Sequence, residues 1–271
     1  MKKTVLITGA SSGFGKETAH VFHRNGWNVI ATMRSPENEQ ELTSLENVLV
    51  TKLDVQDDRL VALAVEAGIE KFGTIDALVN NAGYGLMGVF ESASPAQIQK
   101  QFDVNVFGMM RVTKAVLPYM RKNGRGVIVN LSSFGGVVGL PFASLYASSK
   151  FAVEGFSEAL SHELSDFDIR VKIIEPGGVN TNFRGGLDMI KSDIEAYHAG
   201  MSAFFANYGK ATQDLPKATV TDVAETIFQA ATENSNQLRY VIGSDAQFWI
   251  DTKNDNEEAR FVQSVRDLLM H

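Results

Sequence analysis

The chain contains no cysteine. Disulfides, thiolate metal sites and a cysteine nucleophile are therefore excluded together, and nothing demands an oxidising compartment. No apolar run approaches the roughly eighteen residues that a membrane span needs, so neither a spanning segment nor an obvious anchor is expected. After Met1-Lys2-Lys3-Thr4, the apolar run Val5-Leu6-Ile7 stops at Thr8-Gly9. That is too short for the apolar centre of a secretory signal, and a cytoplasmic location is expected. Basic residues are in deficit, 25 against 32 acidic ones, for a formal net charge of −7. Sequence-independent nucleic-acid binding rests on Lys and Arg neutralising phosphates, so that class is not expected. Only five histidines occur, and no His/Asp/Glu cluster has metal-ligand spacing. His20 and His23 read as decoration of the first helix, and no metal is expected.

What remains is an ordinary globular composition: 271 residues, 44% apolar, 21% charged and 9% aromatic, enough for a sizeable core. Short Val/Ile-rich runs alternate with longer amphipathic stretches, the pattern of βαβ units in a parallel sheet covered on both faces. Strands are expected near Thr4–Thr8, Asn28–Thr32, Val48–Lys52, Ala77–Asn80, Gly126–Leu131, Arg170–Ile174 and Leu238–Ile242. Helices are expected near Gly13–Asn25, Asp57–Phe72, Pro95–Arg121, Ala143–Leu164, Asp222–Thr232 and Glu257–Leu269. Ser94-Pro95 is a good helix opening, because Ser caps orphan N–H groups and Pro at the first position needs no donor. No linker, repeat or low-complexity tract divides the chain, so a single domain over 1–271 is expected. Between Thr181 and Ala218 no strand is evident, and about 182–218 reads as an insertion over one sheet edge, helical in part.

The first strand feeds directly into Thr8-Gly9-Ala10-Ser11-Ser12-Gly13-Phe14-Gly15 and then a helical pattern. Glycines here let the backbone turn tightly and approach a pyrophosphate, while N–H groups and the dipole at the helix N-terminus attract the anion. The spacing Gly-x-x-x-Gly-x-Gly differs from the Gly-x-Gly-x-x-Gly dinucleotide fingerprint. Further along come Asn80-Asn81-Ala82-Gly83, Asn105 in a helical stretch, Ser133 at a strand end, Tyr146 with Lys150, and Pro176-Gly177 after the sixth strand. In this order and spacing the chain resembles the classical short-chain dehydrogenases/reductases over about residues 4–181. The resemblance implies a Rossmann-type, doubly wound α/β sheet of about seven parallel strands with helices on both faces.

Tyr146 and Lys150 are four apart, so on a helix they share one face. A neighbouring ammonium favours the phenolate, which lowers the tyrosine pKa toward acid–base chemistry at neutral pH. Ser133 ends a strand on the edge that faces the ligand crevice, and its hydroxyl can donate to a substrate carbonyl oxygen. Alternation sends the neighbouring Ser132 the other way. Asn105 and Gly108 are poor interior helix formers; the resemblance implies a distorted turn there, with Asn105 holding a water that links the lysine to solvent. His162 shares the predicted helix with Tyr146, but sixteen residues span roughly 24 Å of rise, so it stands apart from that site.

The resemblance also assigns a cofactor. NAD-preferring members carry an acid at the end of the second strand; here Met33 holds that position and Arg34 follows, which points to NADP(H) rather than NAD. Gly9, Ser11, Ser12, Gly13, Phe14 and Gly15 would hold phosphate. Asp54 and Val55, with Asn81, Ala82 and Gly83, match the adenosine half. Tyr146 and Lys150 reach the ribose, and Pro176, Gly177, Val179 and Thr181 match the nicotinamide strip. The implied function is reversible oxidoreduction between an alcohol and a ketone or aldehyde, with Asn105, Ser133, Tyr146 and Lys150 catalytic. A methyltransferase on a similar sheet would leave Tyr146, Lys150 and Arg34 without roles. A non-enzymatic NADPH-sensing regulator is the other alternative.

Tyr197, Met201, Phe205 and Tyr208 recur at i, i+4, i+8 and i+11 with Phe204 beside them, predicting a helix with an aromatic face. That face serves either as packing or, with Gly185, Gly186 and Gly200 as hinges, as a lid. Tyr84, Leu140 and Phe142 would add apolar wall, and Ser133 and Tyr146 would hold the reacting group. A mainly hydrophobic carbonyl or alcohol is thus the expected substrate. By analogy with relatives that pair through two long helices, a homodimer or homotetramer is expected.

Overall fold

A computed structural model of the chain describes residues 2–179 and 187–271. Its nine strands are β1 (Thr4–Thr8), β2 (Asn28–Met33), β3 (Val48–Lys52), β4 (Ala77–Asn80), β5 (Gly85–Gly88), β6 (Gly126–Leu131), β7 (Ile169–Pro176), β8 (Leu187–Ile190) and β9 (Arg239–Ile242), counted among the described residues. Seven of them form one parallel sheet in the order β3-β2-β1-β4-β6-β7-β9. The chain builds outward from β1 to one edge and then returns to build the other half. At that reversal, between β1 and β4, a Rossmann-type sheet leaves a crevice beyond the carboxyl ends of its strands.

Parallel strands require crossovers, and the helices that make them cover both faces. On one face lie α1 (Gly13–Arg24) and α7 (Val220–Thr232); on the other lie α2 (Asp58–Phe72), α4 (Met109–Asn123) and α5 (Ser144–Leu164). Strand alternation feeds both cores. Val5 and Ile7 of β1 join Phe22, Trp27 and Ile227 under α1 and α7, while Leu6 joins Val65, Val112 and Leu160 on the opposite side. The short helix α3 (Pro95–Phe102) opens as its sequence dictates. Ser94 Oγ accepts from the Gln97 N–H at 3.2 Å, and Gln97 Oε1 accepts from the Ser94 N–H at 2.9 Å, a reciprocal cap ahead of Pro95.

Four features depart from the sequence expectations. The helix expected over Pro95–Arg121 is interrupted by a π-helical turn at Asp103–Gly108. Here a Cβ on Gly108 would lie 2.6 Å from Val55 Cγ2, so the widened turn and the glycine together admit a close crossing. Second, β8 is a strand in a region whose pattern predicted none; it pairs in parallel with β5 as a separate two-stranded ladder. Four residues carry too little alternation to announce a strand, and the partner lies far off in the chain.

Third, Ser244–Asn254 forms a helix, α8. Only Asp245, Ala246 and Trp249 of it are buried, which leaves little apolar periodicity to detect. With α6 (His198–Ala211) and α9 (Glu258–Leu269) it builds a third core around Phe204, Trp249, Phe261 and Leu269. Fourth, the aromatic face of α6 is rotated from the predicted row. Phe204 is the anchor at 1% exposure, with its ring 5.7 Å from Phe142 and 5.5 Å from Tyr208, whereas Phe205 is 44% exposed. Tyr197 precedes the helix, and its hydroxyl donates to Glu91 at 2.9 Å; the inward row is Phe204, Tyr208 and Ala211.

Candidate active site

β1 turns into α1 through Gly9 at φ +68° and Gly13 at φ +55°, a region that L side chains rarely adopt. A Cβ on Gly15 would lie 2.4 Å from Asn81 Nδ2 and from the Gly9 carbonyl oxygen. Two glycines are thus required by conformation and the third by contact. Ser12 leads into α1 with no side-chain cap bond, and the first turn carries no acid. The N–H groups and positive dipole end there remain available to an anion.

The loop after β4 braces this turn. Asn81 Nδ2 donates to the carbonyl oxygens of Thr8 (2.8 Å) and Gly9 (3.0 Å), and the N–H groups of Asn81 and Ala82 both donate to Thr8 Oγ1 at 3.0 Å. The Asn81 side chain therefore shapes the glycine turn from behind. A Cβ on Gly83 would meet Asn105 Oδ1 at 3.2 Å. Asn105, buried within the π-helical turn, accepts from the Tyr84 N–H (3.0 Å) and donates to the Tyr84 carbonyl (2.9 Å) and Ser149 Oγ (3.2 Å). Gln101 adds a second donor to the same carbonyl at 3.1 Å. Sequence reasoning missed Gln101, since a glutamine on a helix carries no signal of what it faces.

Ser133 follows β6 in an extended conformation, and its Oγ accepts from the Gly135 N–H at 3.1 Å. This turns the hydroxyl toward the Tyr146 ring, whose Cε1 would be 3.4 Å from a Cβ on Gly135. Ser132 points elsewhere: its Oγ would be 2.5 Å from a Cβ on Gly136, as the alternation predicts. On α5, Lys150 Nζ lies 5.9 Å from the Tyr146 ring centroid and donates to the Leu131 carbonyl at 2.7 Å. Burial pushes the Tyr146 hydroxyl above its ordinary pKa, and hydrogen bonding with Ser133 opposes this. The expected lowering by Lys150 is not what the structure shows. The reason is that burial of the phenol itself sets the direction; the lysine is buried as well, and desolvation brings it down to about 8, against the opposing pull of Glu154.

Gly9, Ser11, Ser12, Gly13, Phe14, Arg34, Asp54, Val55, Asn81, Ala82, Gly83, Tyr84, Ser133, Tyr146, Lys150, Pro176, Gly177 and Val179 all line one cleft of about 700 Å³. Gly15 and Asn105 stand one layer behind it. Leu140 and Phe142 pack in the third core with Phe204, and Thr181, Gly185 and Gly186 lie outside the described residues. Arg34 is exposed at the cleft and makes no ion pair among the described residues. His162 is exposed near the far end of α5, and no group of three metal-ligating side chains occurs among the described residues.

Tyr208, one of the aromatic row expected after residue 196, reaches the cleft, and Asp245, which no sequence pattern singled out, stands behind the strip after β7. Tyr208 of α6 lines the wall beside Tyr146, and burial followed by the charge of Asp245 pushes its pKa upward. Asp245, itself buried, accepts from the Gly178 N–H at 2.7 Å, and a Cβ on Gly177 would lie 2.2 Å from its Oδ1. It thus holds the strip after β7 in place. Nothing in the sequence links positions so far apart.

Residues 3–189 match the sequence model of the short chain dehydrogenase family. The chain belongs to that family. It is 46% identical over 179 residues to a 3-ketodihydrosphingosine reductase of Bacteroides thetaiotaomicron, covering 66% of this chain and 65% of the relative. It is 38% identical over 247 residues to human retinol dehydrogenase 8, covering 83% and 78%. Its fold matches the solved structure of ElxO with NADP bound at a TM-score of 0.75 and 32% identity, covering 89% and 98%. As a short-chain dehydrogenase it is an oxidoreductase of a family that uses NAD(P). No helix among the described residues is long and apolar enough to cross a membrane.

Proposed function

We propose that the chain interconverts a hydrophobic ketone or aldehyde and its alcohol with NADP(H), Tyr146 serving as general acid and base. The observation that carries this reading is that Ser133, Tyr146 and Lys150 open on the same cleft as the glycine turn and Arg34. The residues fit the dinucleotide: glycines that hold a tight turn by positive φ or by leaving no room for a Cβ, free N–H groups at α1, and a guanidinium without an ion-pair partner among the described residues. When bound, the nicotinamide supplies or accepts the hydride. Ser133 holds the carbonyl oxygen, Tyr146 gives it a proton in the reductive direction, and Lys150 binds ribose and favours the phenolate that remains. Asn105 fixes the turn beside them through Tyr84 and Ser149, and in this reading it holds a water that links Lys150 to solvent. The whole chain is one oxidoreductase domain in this reading, with about 182–218 serving as a substrate-loop insertion. Exposed Phe107 and Phe151 on the segments through which relatives pair support a homodimer or homotetramer.

The first test is purified protein with NADPH and a panel of carbonyl compounds, followed by nicotinamide absorbance. Carbonyl-dependent oxidation of NADPH is expected; binding without turnover of any carbonyl would return the chain to the NADPH-sensing alternative. Arg34→Ala is expected to weaken NADPH by about 10–100-fold, the worth of one charge-assisted contact of about 1.5–3 kcal/mol. NADH should scarcely change, and equal losses for both cofactors would discard Arg34 as the phosphate reader.

The substrate class follows from the walls. Tyr84, Met87, Phe134 and Tyr208 line the cleft beside Tyr146, and retinol and 3-ketodihydrosphingosine, named for two relatives, are long apolar molecules. In a matched carbonyl series, kcat/KM is expected to rise with apolar size, at about 0.8 kcal/mol for each methylene buried. Preference for small polar members would leave these aromatics as packing.

A further inference from the structure

A second group of titratable side chains stands directly behind Lys150. Glu154 and Glu158 follow it on α5 by one and two turns, Glu175 comes from β7, and Arg239 from β9. Arg239 Nε lies 3.0 Å from Glu154 Oε2 and 3.4 Å from Glu175 Oε1, and its Nη2 reaches Glu158. No other charged side chain lies within 4 Å of an opposite charge in this set among the described residues; His162, one turn beyond Glu158, faces that exposed carboxylate. Glu154 is 5% exposed and Glu175 2%. The turn over them is closed by Gly136, where a Cβ would lie 3.0 Å from Glu154 Cγ and 3.1 Å from the Lys150 carbonyl oxygen.

One guanidinium shared among three carboxylates cannot neutralise two dry ones in contact. Glu154 Oε1 and Glu175 Oε1 are buried without any hydrogen-bond partner, and a buried polar atom left so is costly. A proton between them supplies the missing donor and removes one of the two like charges. In keeping with this, burial and the neighbouring Glu154 push Glu175 up to about 7. Lys150, meanwhile, has no ion pair within 4 Å among the described residues, and Glu154 one turn along its own helix is the carboxylate that supports its charge.

We propose that Glu154 and Glu175 share one proton beneath Lys150, and that Glu154 is the positioning residue whose remaining charge keeps Lys150 an ammonium. The functional meaning rests on the role given to Lys150 above; the test does not. Infrared spectra of the full chain near pH 6 are expected to show a protonated buried carboxyl band. It disappears in Glu175→Gln and equally in Glu154→Gln, because the surviving buried carboxylate has no dry carboxylate beside it and shares Arg239 only with the exposed Glu158. No such band in the wild type, or one that survives in Glu154→Gln, overturns the shared proton. Lys150 is followed by NMR in protein labelled with carbon-13 at lysine Cε, assigned by loss of its signal in Lys150→Arg.

Glu154→Gln should lower the Lys150 titration midpoint by about one pH unit, and Glu175→Gln by less. An unmoved midpoint in Glu154→Gln overturns its role. The wild-type spectrum and Glu175→Gln keep the test decisive if Glu154→Gln does not fold. Neither readout uses cofactor or substrate, so a chain that reduced no carbonyl would remove the proposed reaction and leave both measurements standing.

Discussion

Turnover in Tyr146→Phe is expected to fall about 10²–10⁴-fold, the range for a lost acid–base group, with NADPH affinity near that of the wild type. The substitution keeps the ring that packs beside Gly135 and deletes only the hydroxyl that meets Ser133. Burial holds that hydroxyl above its ordinary pKa, so around neutrality it carries its proton and suits the reductive direction. Carbonyl reduction should therefore weaken as pH rises, while alcohol oxidation, which needs the phenolate, strengthens until Lys150 loses its charge around pH 8. Rate profiles in both directions check the signs. Full activity in Tyr146→Phe would remove Tyr146 from the chemistry, and Tyr208, in the same cleft, would be the next hydroxyl to test.

Lys150→Ala is expected to damage two properties together. The ribose contact goes, raising the NADPH dissociation constant by about 10–100-fold for a charge-assisted hydrogen bond. Burial, not the lysine, sets the resting state of Tyr146. The ammonium 5.9 Å from its ring therefore matters for the phenolate formed during turnover, and its loss is expected to cost about one pKa unit, or roughly tenfold in turnover. Binding and single-turnover rates measured separately resolve the two losses. A change in neither would mean that the helical pair plays no part, whatever its position. Lys150→Met, which keeps much of the volume, separates lost charge from the cavity that alanine leaves.

How far the sequence carried depends on the range of each interaction. The parallel sheet was legible because strands buried on both faces are written as runs of Val, Ile and Leu, each followed by a helical period. The glycine turn and the Tyr146–Lys150 pair were legible because their geometry is local: both sit within a few residues of one strand end or one helix turn. The π-helical turn at Asp103–Gly108 was half visible, as a conflict between Asn105, Gly108 and helical propensity. What escaped was assembled across the chain. Asp245 reaches Gly178 from 67 residues away, and Glu175 meets Glu154 only because β7 passes beneath α5. The tuning of Tyr146 failed for the same reason: spacing puts an ammonium nearby, but burial, a property of the whole fold, decides the direction. The face of α6 was misread by one position, since the helix is oriented by α8 and α9, which the pattern around Tyr197 does not contain.

The ladder of β5 and β8 joins the loop after β4 to the segment that leads into α6. Its bonds run between main-chain groups, so they persist whichever side chains the two strands carry. Gly88 is the demanding position, at φ +129° with the Ile190 carbonyl oxygen 2.8 Å from where a Cβ would stand. At the other rungs, residues that face the cleft can be exchanged while the lip of the pocket keeps its place. Evolution can thus vary what this mouth admits without redesigning how it is held, and an engineer seeking a new substrate should begin with the side chains of Leu187 and Met87 and leave Gly88 and the main-chain pairing intact.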